Sequence, residues 1–238
     1  MNLRQQIVDN YHQVLERLTK AAQSANRKPE DIKLIVVTKA RPVEIVQAVV
    51  DAGARFLGEN YPEEGVEKMA FSASENVEWH MIGHIQSRKA KMVVENYAWV
   101  HAVDRMKIAN RLNRFAQERN LQLPVLLEFN VSGEASKYGW SAWDQSRWFE
   151  LAESLNPLFD LDHLQIRGLM TMPPFTSDPE DARPFFRRLR LLKSFLAEQF
   201  PDTNWDHLSM GMSNDFEVAV QEGATMVRVG TAIVGQRR

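Results

Sequence analysis

The sequence predicts an α/β fold, a single (β/α)8 TIM barrel with one extra helix at its N-terminus. Three observations carry this reading. Short β-branched or apolar runs alternate with longer segments of helical periodicity, the pattern of parallel βαβ units. Eight such runs fit into 238 residues, close to the roughly 250 residues usual for that barrel. The first run is followed by Thr38-Lys39-Ala40-Arg41-Pro42, without glycine. The rival fold, an open doubly wound sheet, normally carries a glycine-rich dinucleotide turn at that place.

The elements follow in order. Ile7, Tyr11, Val14, Leu15 and Leu18 recur at spacings of three and four and form one apolar stripe of the leading helix. Residues 32–38 (IKLIVVT) read as a buried strand, and 42–52 as a helix with Pro42 near its first turn. The next pairs are 55–58 and 62–70, 77–82 and 86–96, and 98–103 and 106–120. They are followed by 124–131 and 142–155, 164–172 and 179–199, and 207–210 and 215–222. The last strand, 226–229, has no helix assigned after it. No low-complexity stretch, long linker or fixed repeat interrupts the alternation, so residues 1–238 are read as one domain.

Composition narrows the function classes. Lys and Arg number 29 against 31 Asp and Glu, which argues against a general nucleic-acid or anionic-membrane surface. Cysteine is absent, so disulfides, thiolate catalysis and Cys-ligated metals are excluded. The N-terminus lacks a signal-peptide pattern and no apolar run reaches the roughly 18 residues of a membrane span. A cytoplasmic, soluble protein is the expectation.

Catalytic and binding groups of such a barrel sit at the C-terminal ends of its strands. There the sequence places Lys39, Gly58-Glu59-Asn60, Gly83-His84, Asp104, Asn130 with Lys137, Thr171-Met172, Met212-Ser213-Asn214, and Arg228-Val229-Gly230-Thr231. The strand interiors, by contrast, read as apolar. Lys39 stands out. A partly desolvated lysine tends towards the neutral amine, a nucleophile suited to Schiff-base chemistry; the plainer alternative is a lysine whose head reaches water. Ser213 before a helix start, and Gly230-Thr231 after the last strand, suit a phosphate. Ser213 as an ordinary helix cap is the competing reading.

Other constellations are weaker. His80 and His84 have the spacing of a helical zinc pair but straddle a strand end. Asp206 and His207 are neighbours on a strand and point to opposite faces, against a hydrolase triad with Ser209. Arg187, Arg188, Arg190 and Lys193 read as a solvated helix face. Met170, Met172, Met210 and Met212 fit core filling or a wall against a flat ring.

With these residues assembled, the chain resembles the pyridoxal phosphate homeostasis proteins (the YggS/PROSC family), which are similar to the N-terminal domain of alanine racemase. The likeness runs through VVTKARP (36–42), GENYPEE (58–64), WHMIGHIQSRK (79–89), NVSGEASKYG (130–139), GLMTMPP (168–174), LSMGMSNDFEVAV (208–220) and VRVGTAIVGQR (227–237). Ala40 departs from the family pattern, which often has a small polar residue or Thr there. The resemblance implies a protein that binds pyridoxal 5′-phosphate (PLP, the vitamin B6 cofactor) as an aldimine of Lys39. Asn60 would lie near the ring hydroxyl, Ser213, Gly230 and Thr231 would hold the phosphate, and Arg228 would face the pyridine nitrogen. It further implies PLP homeostasis or carriage without robust catalysis, with apo PLP-dependent enzymes as candidate recipients.

Related racemases take a second base from a tyrosine of a separate domain. This chain stops nine residues after Val229, so a monomer is expected and efficient racemisation is not. The alternative is a weak PLP-dependent amino-acid racemase using Tyr61, Tyr138, His84 or Lys137 as second base. A barrel enzyme for a sugar phosphate, with Lys39 as Schiff-base former, is a third reading. Lys137, in a Gly- and Ser-containing loop, is a further candidate amine for receiving PLP from Lys39.

Overall fold

The structure is a computed structural model and describes residues 2–71 and 76–236. Its barrel strands are β1 (Lys33–Val37), β2 (Phe56–Glu59), β3 (Glu78–Met81), β4 (Trp99–Val103), β5 (Leu123–Asn130), β7 (Leu164–Met170), β8 (His207–Ser209) and β9 (Met226–Val229). They pair in parallel in that order. The sheet closes because β1 bonds β9 as well as β2, and β4 bonds β5. A two-residue strand, β6 (Trp140–Ser141), lies outside the barrel against Phe129 and Asn130 of β5.

The helices are α1 (Leu3–Ser24), α2 (Val43–Asp51), α3 (Pro62–Phe71), α4 (Ala90–Asn96), α5 (Met106–Glu118), α6 (Trp148–Leu155), α7 (Arg183–Gln199), α8 (Phe216–Gln221) and α9 (Thr231–Val234). The side chain of Asn2 caps α1 by accepting from Arg4 N–H. The apolar stripe read from the sequence is the buried face: Ile7, Tyr11, Val14 and Leu18 are all buried. That face packs against α2, α8 and α9.

The structure departs from the sequence reading in four places. Residues 86–89 and 179–182 are largely 3-10 turns ahead of α4 and α7, not the first turns of regular helices. The helix expected from 142 begins at Trp148. The Asp144 carboxylate accepts from Ser146 N–H and holds a local turn instead, while Trp140 and Ser141 are drawn into β6. The last strand is followed by a helix after all, α9. Finally, the barrel interior is not apolar. It holds a small apolar cluster (Ile35, Trp99, Ala102, Leu126, Met170 and Met226), and beside it the buried polar side chains His80, His101, Glu128, Ser209 and Arg228. The continuous apolar core lies outside, between strands and helices.

Candidate functional site

Two glycines shape the C-terminal rim of the barrel. A Cβ at Gly83 would stand 2.5 Å from the Asn60 carbonyl, so only glycine lets the loop after β3 cross that close. Gly211 has φ +92°, and a Cβ there would meet Ala219 and Phe216 of α8. It turns the chain after β8 so that Met212 and Ser213 face inward over the barrel.

These turns frame a cavity of about 320 Å³. Lys39, Asn60, Ser213, Arg228, Gly230 and Thr231 all line it. Six residues read from four separate segments therefore meet at one place. The apolar walls are Val37, Ile82, Met172, Met212 and Val234, with the exposed Phe175 at the rim.

Lys39 follows β1 directly and is half-buried. Its turn is braced from beneath by a group the sequence reading passed over. Lys68 Nζ donates to the Thr38 carbonyl at 2.6 Å and to Glu59 and Glu64 carboxylate oxygens at 2.7 Å each. Thr38 Oγ1 donates to Glu59 at 2.6 Å, and the Ala40 N–H to Glu64 at 2.5 Å. Burial pushes the Glu59 carboxyl up, against the lowering by Lys68 and Thr38. Ala40 sits at φ +55°, a conformation that L-residues adopt uncommonly; the bond from its N–H helps to hold it there. The only sequence signal for this brace was charge at i, i+4 in Glu64 and Lys68. Arg41, also missed, lines the cavity and donates to the Gly235 carbonyl at 2.5 Å, tying this turn to the end of α9.

On the neighbouring strand β9, Arg228 points inward and is buried. It donates to Ser209 Oγ at 2.5 Å and to the Thr171 carbonyl at 2.9 Å. Burial lowers its pKa to about 10, against the pull of Glu128 and Asp215, so it stays cationic at neutral pH. Glu128, buried beneath the mouth, is pushed up to about 7 by burial and then by Asp104, with Arg228 opposing. One of its oxygens, Oε2, has no hydrogen-bond partner.

Ser213 does not cap α8. That position belongs to Asp215, whose carboxylate accepts from Met212 N–H at 2.6 Å. Instead Ser213 Oγ accepts from the Gly230 and Ala232 N–H groups at the start of α9, both at 3.2 Å. Its hydroxyl and those amides form one cluster with Thr231 at the rim.

The candidate second bases lie elsewhere. Tyr61, His84, Lys137 and Tyr138 are not among the residues lining the cavity. Tyr138 is exposed and stacks on His84 with ring centroids 4.0 Å apart. Lys137 Nζ donates to the Pro173 carbonyl at 3.3 Å. His80 lies inside the barrel on β3 and His84 in the loop beyond it, 2.7 Å from Asp104, so no helix presents them together. Among the described residues no group of three or more His, Asp or Glu could hold a metal ion, and no helix is long and apolar enough to cross a membrane.

Comparison with known proteins agrees with this architecture. Residues 10–238 match the family described as alanine racemase, N-terminal domain. A pyridoxal phosphate homeostasis protein of Vibrio alginolyticus is 42% identical over 235 residues, 97% of each chain. One of Escherichia coli is 38% identical over 237 residues, again 97% of each. Among solved structures, PipY of Synechococcus elongatus with PLP bound is 34% identical with a TM-score of 0.79, covering 93% of this chain and 100% of that one. An alanine racemase of Bartonella henselae, 16% identical with a TM-score of 0.69, shares the fold over 61% of its own length. With this likeness along almost its whole length, the chain belongs to the pyridoxal phosphate homeostasis proteins, within the alanine racemase N-terminal domain family.

Proposed function

We propose that this chain binds PLP in the rim cavity and serves PLP homeostasis and carriage, with residues 1–238 acting as one PLP-binding domain. The observation that carries the reading is the donor set of the cavity. An amine (Lys39) and a buried guanidinium (Arg228) meet a cluster of hydroxyls and backbone N–H groups at Ser213, Gly230 and Thr231. Such a set suits a small anionic aldehyde with a flat ring. PLP supplies an aldehyde that condenses with a primary amine, releasing water.

The remaining roles belong to the protein. Lys39 provides the amine, presented at the rim by the Lys68, Glu59 and Glu64 brace. Asn60 would lie near the ring hydroxyl. Ser213, Thr231 and the N–H groups of Gly230 and Ala232 bind the phosphate. Ile82, Met172 and Met212 provide apolar surface for the ring. Arg228 would face the pyridine nitrogen. A guanidinium is already protonated and has no acceptor to offer, so it would leave that nitrogen unprotonated and the ring a poor electron sink. That supports carriage over amino-acid chemistry. The titratable groups of the cavity wall besides the two arginines are Lys39 and Asp215, and Asp215 is engaged by the Met212 N–H. A second base facing Lys39 is therefore not among the described lining residues.

The test is the visible spectrum of the purified protein before and after borohydride, followed by peptide mapping. The expected result is a yellow protein with the reduced label on Lys39. A protein left colourless and unlabelled after incubation with PLP would overturn the reading. Alanine Cα–H exchange in heavy water separates carriage from the racemase alternative: exchange above that of free PLP, abolished in Lys39→Ala, would favour the enzyme.

A further inference from the structure

A continuous line of hydrogen bonds runs through the barrel interior from its N-terminal floor to the cavity. It begins at Glu78, the first residue of β3, whose carboxylate is paired with Lys33 at the start of β1. Glu78 Oε1 lies 3.0 Å from His80 Nε2, and His80 Nδ1 lies 2.9 Å from His101 Nε2. His101 Nδ1 lies 2.9 Å from Ser209 Oγ, which accepts from Arg228 Nη1 at 2.5 Å. Four strands thus contribute one side chain or more to a single file. His80, His101 and Ser209 are wholly buried.

The two ends determine the direction of every bond. A carboxylate only accepts and a guanidinium only donates. His80 therefore carries its proton on Nε2 and donates to Glu78. A neutral His80 then offers Nδ1 as an acceptor, so His101 Nε2 must donate to it. A neutral His101 offers Nδ1 to the Ser209 hydroxyl, whose oxygen receives Arg228. All donors point from Arg228 towards Glu78. The surroundings keep both rings neutral. Burial lowers His80, with Glu78 raising it and Lys33 opposing. Burial lowers His101 well below the ordinary value, joined by His80, Arg228, His207 and Lys33. A proton added to His101 would have to sit on Nδ1. Ser209 Oγ would then face two cationic donors, one on each side.

We propose that Glu78, His80, His101 and Ser209 are positioning residues for Arg228, forming a one-directional wire that fixes its guanidinium against the cofactor ring and couples the barrel floor to the cavity. The inference rests on the PLP reading for its consequence, though not for its geometry. The indole of Trp99 lies parallel to the His80 ring with centroids 6.0 Å apart, and Phe56 meets His80 edge-on at 6.0 Å, restricting its rotation. Lys33 lies over both of those aromatic rings, at 4.7 and 5.2 Å.

The first test needs no cofactor. Nitrogen NMR of protein carrying 15N-histidine should show His80 and His101 as neutral Nε2–H tautomers at pH 8, and still mainly neutral at the ordinary histidine pKa of about 6.5. An Nδ1–H tautomer at either ring, or titration of His101 near its ordinary value, would overturn the wire. The second test reads the consequence. Ser209→Ala breaks the file next to Arg228 and should weaken PLP uptake roughly three- to tenfold, about the net worth of one ordinary hydrogen bond. It should also shift the visible band of bound PLP and its pH profile. Glu78→Gln, at the far end, should move the same band in the same direction by less, and the surface variant Glu217→Gln should not move it. Folded Ser209→Ala and Glu78→Gln proteins with the parental band and pH profile would overturn the positioning role. A parental protein that takes up no PLP would instead sink the functional reading, leaving the tautomers to decide the wire.

Discussion

The space inside the barrel and the layer outside it are built on opposite terms. Outside, Leu57, Leu112, Leu127, Phe186 and Phe216 belong to one continuous apolar core between strands and helices. Inside, six buried apolar side chains share the space with two histidines, a glutamate, a serine and an arginine. The outer layer contributes stability through area removed from water. Inside, every polar group must find a partner or incur a cost, so the geometry is specified more tightly than area alone would demand. The difference teaches where specificity is kept in this fold: strand residues facing out hold the barrel together, and those facing in orient the cavity.

Substitutions on either side of the sheet separate these roles. The largest effect is expected at the mouth. Lys39→Ala should abolish the borohydride-reducible label completely while leaving the melting temperature of the cofactor-free protein within a few degrees of the parent; a label retained elsewhere at full yield would show that Lys39 is not the anchor. In the outer layer, Leu112→Ala leaves a cavity behind α5. It should cost about 2–5 kcal/mol, or roughly 5–15 °C in Tm, without moving the PLP band in the folded protein. A band shift there would mean that the two regions are not separable.

Glu128 inside the barrel tests the comparison by pH. Its folded carboxyl titrates near 7, above the ordinary 4.5, so the native state holds a proton that the unfolded state releases. That contribution is fully favourable below about pH 4.5 and is lost as pH rises through 7. Glu128→Gln should therefore gain stability over the parent on going from pH 5 to pH 8, by on the order of 1–3 kcal/mol. Denaturant midpoints at the two pH values measure it, and a gain independent of pH would contradict the assignment. Glu78 and the two buried histidines act in the opposite sense. The hydrogen bond from His80 holds the Glu78 carboxyl near 2, and burial holds both imidazoles below their ordinary value. Their contribution is present at neutral pH and fades on acidification. The smallest effect belongs to the surface: Glu217→Gln removes the Arg17 pair at 2.7 Å, and should change stability by less than about 1 kcal/mol, a change that salt should reduce.

Much of the fold was legible because periodicity is local. Ile7, Tyr11, Val14 and Leu18 announce the buried face of α1 by spacing alone, and the run 226–229 is bounded as the structure has it. The rim was legible for a related reason. Parallel strands present their C-terminal ends on one side, so Lys39, Asn60, Ser213, Arg228, Gly230 and Thr231 could be gathered there before any contact was known. Cap chemistry was less accessible. Ser213 looked like the start of α8 and serves the start of α9 instead, because the turn at Gly211 redirects it. The Lys68 brace was hidden, since its partners Thr38 and Glu59 lie 30 and 9 residues away.

The sequence by itself determined the order of the eight barrel strands and the helices between them, the outward apolar faces and the rim on which the chemistry gathers. All of these follow from spacings of two to four residues along one segment. Only the tertiary structure decided what faces what across the interior. His80 and His101 are 21 residues apart, His101 and Ser209 are 108, and Ser209 and Arg228 are 19. Alternation says that each points to one face of its strand. Which inward residues meet depends on closure of the sheet between β1 and β9 and on the stagger of every strand between them, and no local pattern encodes that.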